Sequence, residues 1–213
     1  MPNLILIPTD RERSVIEAEL QPDRAGWELH TIGFGVVASA VNAARLIFQS
    51  RPEWVVVAGI AGKFDRPANR DLALGEAVWF SDVRLDGIGV GQAERFIDAA
   101  ELGWPSPLGD PRSGAINLWT PDNGGDRTLI TVCSGSSCSA EATWRGQRFP
   151  AALGEDMESY GVAAACRAAG VRCGVLRGLS NEAGCRDHGR WKTDAALISV
   201  ADRLRDFFNQ LNE

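Results

Sequence analysis

Three polar side chains lying far apart in the chain have types that could act together: Glu12, Glu158 and Asn181. Two carboxylates and one carboxamide suit a reaction that passes through a cationic, sugar-like transition state. One carboxylate would activate water, the other would grip ring hydroxyls, and the amide would hold the leaving group. Other reaction classes lack their residues here. The chain has no G-x-S-x-G elbow, no Ser-His-Asp order and no P-loop. Its five cysteines (Cys133, Cys138, Cys166, Cys173, Cys185) form no C-x-x-C pair and have only His30 and His188 beside them, so they read as small buried thiols rather than metal ligands or disulfides.

The elements that must carry these groups follow from local pattern. The stretch from Gly154 to Gly184 opens with Glu155, Asp156 and Glu158, becomes Ala-rich up to Gly170, and continues as an apolar run, Val171 to Leu179, that delivers Ser180 and Asn181. Strong helix formers ending at glycine, followed by β-branched residues, predict a helix leading into a strand. Glu158 at the helix start and Asn181 at the strand end then share the ligand-facing rim of an α/β sheet. Glu12 reaches the same rim if Leu4–Ile7 is a buried strand turned by Pro8-Thr9-Asp10 into a helix over Arg11–Leu20, with Thr9 or Asp10 as its cap. The helix dipole alone would also favour a glutamate in that first turn.

Further strands are predicted at Trp27–Ile32, Trp54–Ala58, Ala77–Phe80 and Thr128–Cys133. Small residues follow several of them. Gly33-Phe34-Gly35 is either a tight turn or a backbone approach to a ligand, and Gly59-Ile60-Ala61-Gly62 would let backbone amides line a pocket. Apolar residues recur with helical period over Val36–Ser50, and a stripe of Leu197, Val200/Ala201, Leu204, Phe207/Phe208 and Leu211 marks a final amphipathic helix. Asp86–Gly91 (DGIGVG) reads as a surface loop, because no capped helix follows it.

At 213 residues the chain suits a single domain spanning 1–213, with 98–127, rich in Pro, Gly and Asp, as a long loop or lid. A net charge of −6 argues against nucleic acid or an anionic membrane as partner. Leu4–Ile7 is too short for a signal-peptide core and no run is long enough to span a bilayer, so the expected location is cytoplasmic.

The order of G-F-G-V-V-A, V-V-A-G-I-A-G, L-G-E-A-V-W-F-S-D, E-D-M-E-S and L-R-G-L-S-N resembles the nucleoside phosphorylase superfamily, on its nucleosidase side, over nearly the whole chain. The resemblance implies a three-layer α/β/α fold around a mixed, partly parallel twisted sheet, and a homo-oligomer built on dimers. It implies a small-molecule nucleoside substrate and no metal or organic cofactor. Residue by residue, Glu158 would bind the ribose hydroxyls, Met157 would pack on the sugar, Ile60, Ala61 and Gly62 would line the ribosyl and water site, and Ser134 to Ser136 would border the purine. Glu12 would orient the attacking water, with Asp10 and Glu17 as alternatives.

Where adenine-releasing relatives carry an acid, this chain has Asn181. An amide cannot donate a proton as an acid, but it offers a hydrogen-bond donor and an acceptor. It suits a 6-oxopurine, whose N7 and O6 both accept. The pattern Ser180, Asn181, Arg186, Asp187, Trp191 is similar to that of the futalosine hydrolases, which release hypoxanthine from futalosine on the alternative route to menaquinone. Their substrate bears a benzoate, for which Arg186, Arg84 or Arg11 could supply the cation, and Trp191 could stack on a ring. Phosphorolysis with an anion site at Arg11, Arg13 or Arg84, adenine-directed hydrolysis, and a non-catalytic nucleoside binder remain the competing readings.

Overall fold

In a computed structural model, residues 2–20, 26–91, 95–121 and 126–211 are described. The chain runs β1 (Asn3–Ile7), α1 (Asp10–Leu20), β2 (Trp27–Thr31), α2 (Val36–Ser50), β3 (Trp54–Lys63), β4 (Ala77–Phe80) and β5 (Asp82–Asp86). It continues with the short β6 (Gly89–Val90), β7 (Ile97–Asp98) and β8 (Ile116–Asn117), then β9 (Thr128–Val132), α3 (Ser139–Arg148), β10 (Ala152–Asp156), α4 (Ser159–Ala169), β11 (Arg172–Glu182) and α5 (Thr193–Leu211).

Nine of the described strands form one mixed sheet. β1 pairs parallel with β2 and β3, and β3 pairs parallel with β11 along its whole length. β11 pairs antiparallel with β4, whose chain passes through Ser81 into β5; β5 and β9 are parallel, as are β9 and β10. β10 then meets the far end of β3 antiparallel, at Gly154↔Lys63 and Glu155↔Gly62. The pairing therefore closes a circuit, and the sheet curls.

Alternation along the strands divides the core. Leu4, Leu6, Val55 and Val57 face α2 and α4, while Ile5, Ile7, Val56 and Ala58 face α1 and α5. On the second face Trp54 packs edge-on to Trp119 at 4.6 Å, and Phe207 lies 5.5 Å from Trp79. The expected stripe of α5 is buried through Phe208, whereas Leu211 is exposed, because the helix outruns the sheet.

Several elements differ from the sequence reading. β3 continues to Lys63, so Gly59–Gly62 lies within a strand rather than after it. The acidic run before Glu158 is the end of a buried strand, β10. Asp86 of the supposed surface loop ends β5, buried, and Gly89–Val90 pairs with β7. Described residues 98–121 line no part of the main cavity; Trp119 bridges to Gly174 and joins the aromatic core. Only Cys166 and Cys173 are buried thiols; Cys133 and Cys138 are exposed, beside the loop after β9.

Candidate active site

The carboxyl ends of β1, β3, β10 and β11 surround a cavity of about 580 Å³. Glu12, Glu158 and Asn181 all line it. So do Met157, Ile60, Ala61, Gly62, Ser136, Arg186 and Trp191. Ser134 does not. Its side chain is exposed, and its carbonyl accepts from Arg145 Nη2 at 2.6 Å. Of the other cations considered, Arg11 lines the cavity, whereas Arg84 sits on β5 beside Asp82.

Glu12 owes its place to the start of α1. Thr9 Oγ1 accepts the Glu12 N–H at 3.3 Å, as an N-cap residue does for the third helical position. The carboxylate does not fold back onto the Thr9 backbone, as a capping box would have it. Instead Oε2 accepts the Thr9 hydroxyl at 2.6 Å and Oε1 accepts the Ile60 N–H at 3.0 Å. The second bond needs close approach to β3, and Gly59 permits it. A Cβ at residue 59 would fall on Arg177 Nη1 and 2.7 Å from Glu12 Oε1.

Glu155 and Asp156 end β10 and Glu158 starts α4; the last two share Arg177, while Glu155 has partners of its own. Asp156 caps α4 through the Ser159 N–H at 3.0 Å, accepts Thr131 Oγ1 at 2.6 Å, and pairs with Arg177 Nη2 at 2.5 Å. Because Asp156 and Thr131 satisfy the first amides of α4, the N-cap residue Glu158 keeps its carboxylate for the cavity. Its Oε1 accepts the Gly35 N–H at 3.0 Å, and its Oε2 lies 3.5 Å from Arg177 Nη2. Gly35 holds φ +91°, a conformation that suits glycine, so G-F-G both turns the chain and aims an amide into the site. Glu155 turns to the loop after β9 and binds Ser136 and Arg145.

Sequence reasoning passed over Arg177. It is the largest fully buried side chain described, at 0% exposure. Burial by itself would lower its pKa, but the charges of Asp156, Glu158 and Glu12 outweigh that and raise it. Burial also lifts the Glu158 carboxyl to about 7, opposed by Arg177 and the Gly35 N–H and reinforced by Asp156 and Glu12. Nη1 of Arg177 has no hydrogen-bond partner among the described residues. A sequence signal existed: an arginine inside an apolar strand run must find buried acids, and an acidic run lay some twenty residues earlier.

Asn181 is aimed by a bulge. Leu179 pairs with Ala61 and Asn181 with the next residue, Gly62, so Ser180 is the extra residue on β11. Asn181 Nδ2 donates to the Glu182 carbonyl at 2.9 Å, and Oδ1 accepts Ser180 Oγ at 2.7 Å. A carbonyl can only accept, which fixes the amide's orientation and leaves one N–H and one lone pair free for a ligand. At the mouth, His188 stacks on Trp191 at 4.4 Å, the Arg186 guanidinium lies 5.5 Å over the same ring, and Trp191 Nε1 donates to the Cys185 carbonyl at 3.0 Å. Phe34, His188 and Glu155, none assigned a place in the site beforehand, also line the cavity. Among the described residues no group of three or more His, Cys, Asp and Glu is placed to hold a metal ion, and no helix is long and apolar enough to cross a membrane.

Residues 24–211 match the phosphorylase superfamily, and the chain belongs to that superfamily. Within it the protein is a nucleosidase, an enzyme that cleaves an N-glycosidic bond. The chain is 30% identical over 202 residues to futalosine hydrolase of Streptomyces coelicolor, spanning 92% of this chain and 83% of that one. It is 31% identical over 221 residues to futalosine hydrolase of Thermus thermophilus, spanning 95% and 93%. Among solved structures, a methylthioadenosine/S-adenosylhomocysteine nucleosidase of Colwellia psychrerythraea superposes with TM-score 0.78 at 20% identity, covering 99% of this chain and 96% of that one. Futalosine hydrolase of Helicobacter pylori superposes with TM-score 0.78 at 15% identity, covering 99% and 98%. These likenesses show the nucleoside phosphorylase fold.

Proposed function

We propose that the enzyme hydrolyses the N-glycosidic bond of a 6-oxopurine nucleoside, futalosine, releasing hypoxanthine and dehypoxanthine futalosine in menaquinone biosynthesis. The observation that carries this reading is Asn181, an amide with one free N–H, in the same cavity as Glu12 and Glu158. In this reading Glu12 takes a proton from water as the water oxygen bonds to C1′. The C1′–N9 bond breaks with its electron pair passing to the purine, which leaves as an anion and takes a proton from solvent as Glu12 gives up the one it gained. Arg177, fully buried behind the cavity, pairs with Asp156 and Glu158 and so fixes the carboxylate that faces the sugar. Glu158 holds the 2′ and 3′ hydroxyls, an interaction that strengthens as positive charge grows on the ring. Asn181 donates to the N7/O6 edge of the departing base. Met157 packs on the sugar, and Ile60 to Gly62 line the water side.

Arg186 and Arg11 give the mouth a cationic rim, with Trp191 and His188 as a stacked aromatic surface. An aryl carboxylate on the 5′ side of the nucleoside matches that chemistry. The resemblance to named futalosine hydrolases supports the same substrate. The enzyme is offered futalosine, methylthioadenosine, adenosylhomocysteine and inosine, with and without phosphate, and products are separated by chromatography. Hypoxanthine from futalosine, independent of phosphate, is the expected result. Adenine release would sink the reading of Asn181, and ribose-1-phosphate would replace hydrolysis with phosphorolysis.

A homodimer belongs to the same proposal. Val37, Val41 and Phe48 leave an exposed apolar stripe along α2, continuing from Phe34 at the cavity. Val41→Lys should convert dimer to monomer in sedimentation; an unchanged sedimentation coefficient would remove α2 from the interface.

A further inference from the structure

Gly62 stands between two polar groups of the cavity. On one edge of β3 it pairs with Glu155 of β10, and on the other with Asn181 of β11. Paired residues on adjacent strands project to one face, and two strand spacings separate the Cα atoms of Glu155 and Asn181 by about 10 Å. Gly62 has no side chain to intrude between them; a Cβ there would meet Ala183 Cα at 3.3 Å and Asn181 Nδ2 at 3.5 Å. The result is a slot with a carboxamide on one wall and a carboxylate on the other, both lining the cavity.

The carboxylate is fixed from behind. Glu155 Oε1 accepts the Ser136 N–H at 2.7 Å, and Oε2 accepts Ser136 Oγ at 2.8 Å and Arg145 Nη1 at 3.1 Å. Arg145 also donates to the Ser134 carbonyl and, through Nε at 3.3 Å, to Asp86, whose other oxygen takes Arg148 at 2.6 Å. Two arginines on one face of α3 thus tie together the ends of β5, β10 and the loop after β9. A carboxylate has about four acceptor sites. Three are filled by described residues, and Oε1 keeps one.

We propose that Glu155 is a specificity-determining residue that accepts the N1–H of a 6-oxopurine whose O6 or N7 is held by Asn181. The proposal rests on the 6-oxopurine reading above. Around its edge a 6-oxopurine presents acceptor N7, acceptor O6 and donor N1–H, whereas adenine presents acceptor, donor, acceptor. The free N–H of Asn181 and the free lone pair of Glu155 match the first order. Against adenine, the carboxylate would face the N1 lone pair, and a site built for a donor discriminates strongly against a ligand that lacks it.

Methylation at N1 removes the donor and leaves N7 and O6 in place, so the test compares hypoxanthine with 1-methylhypoxanthine by calorimetry on the whole enzyme. Wild type should bind 1-methylhypoxanthine at least about tenfold more weakly, the scale of one lost charge-assisted hydrogen bond. In Glu155→Gln that gap should close to within about threefold. Arg145→Lys is the second variant. It loosens the clamp on Ser136 while keeping Glu155, so the gap should persist even where both bases bind less well. Equal binding by wild type, or a gap that survives Glu155→Gln, overturns the assignment and leaves the 6-oxopurine reading standing. Release of adenine but not hypoxanthine in the chromatographic assay, or no binding of hypoxanthine at all, overturns both.

Discussion

The two ends of β3 and β11 are built for opposite purposes, although one parallel ladder, interrupted only by the bulge at Ser180, joins them. At the starting end Val55 lies between Leu4 and Cys173, Val57 between Leu6 and Val175, and apolar side chains cover both faces. At the finishing end the same strands carry Gly59, Ile60, Gly62, Arg177 and Asn181, and their neighbours are Glu12, Asp156 and Glu158. Burying a charge is costly unless it is paired and hydrogen-bonded. Arg177 meets that condition with two acids on one nitrogen, and the acids meet it with backbone N–H groups from other elements. One end therefore stabilises the fold through apolar area, and the other holds a polar constellation in place within it.

A crossed pair of substitutions breaks or sharpens this contrast. Glu12→Gln should lower kcat about a thousandfold or more, the scale of losing a general base, with little change in Tm. Phe207→Ala, at the packed end beside Trp54 and Trp79, should cost about 3–5 kcal/mol of stability in urea unfolding. Its kcat/KM per folded molecule should stay within about twofold of wild type. If Phe207→Ala cripples turnover below its melting transition, the two ends are not independent and the contrast fails.

The same division decides what could be read from the sequence. Strands buried on both faces announced themselves as apolar runs, and β1, β4 and β9 lie within a residue of their expected bounds, as does the half-exposed edge strand β2. β10 did not, because Ala152–Asp156 has no β-branched residue and ends in two acids that look solvent-exposed. They are buried only because Arg145 and Arg177 arrive from elsewhere in the chain. α3 went unread for a similar reason, with a serine-rich start and Gly146 inside it. Glu12, Glu158 and Asn181 were legible as types at strand and helix ends. Their shared cavity depends on the Ser180 bulge, the Gly59 gap and Gly35 at positive φ, which are features of the folded backbone.

Proton uptake by Glu158 should give the smallest but most diagnostic effect. Its carboxyl is lifted by burial from 4.5 to about 7, facing Gly35 from the start of α2, Arg177 from β11, Asp156 from β10 and Glu12 from α1. If the ionised form grips the ribose hydroxyls, kcat/KM should climb about tenfold per pH unit on the acid side and level off near pH 7. Stability should move the other way. Between pH 4.5 and about 7 the unfolded carboxyl has lost its proton while the folded one retains it, so raising pH across that window favours the unfolded chain. Glu158→Gln, which cannot titrate, should remove that share of the pH dependence, seen by comparing urea unfolding of both proteins at pH 5 and pH 8. A kcat/KM profile levelling off near pH 4.5 instead would mean that Arg177 outweighs burial at this carboxylate, and that the finishing end of the sheet holds Glu158 ionised across the neutral range.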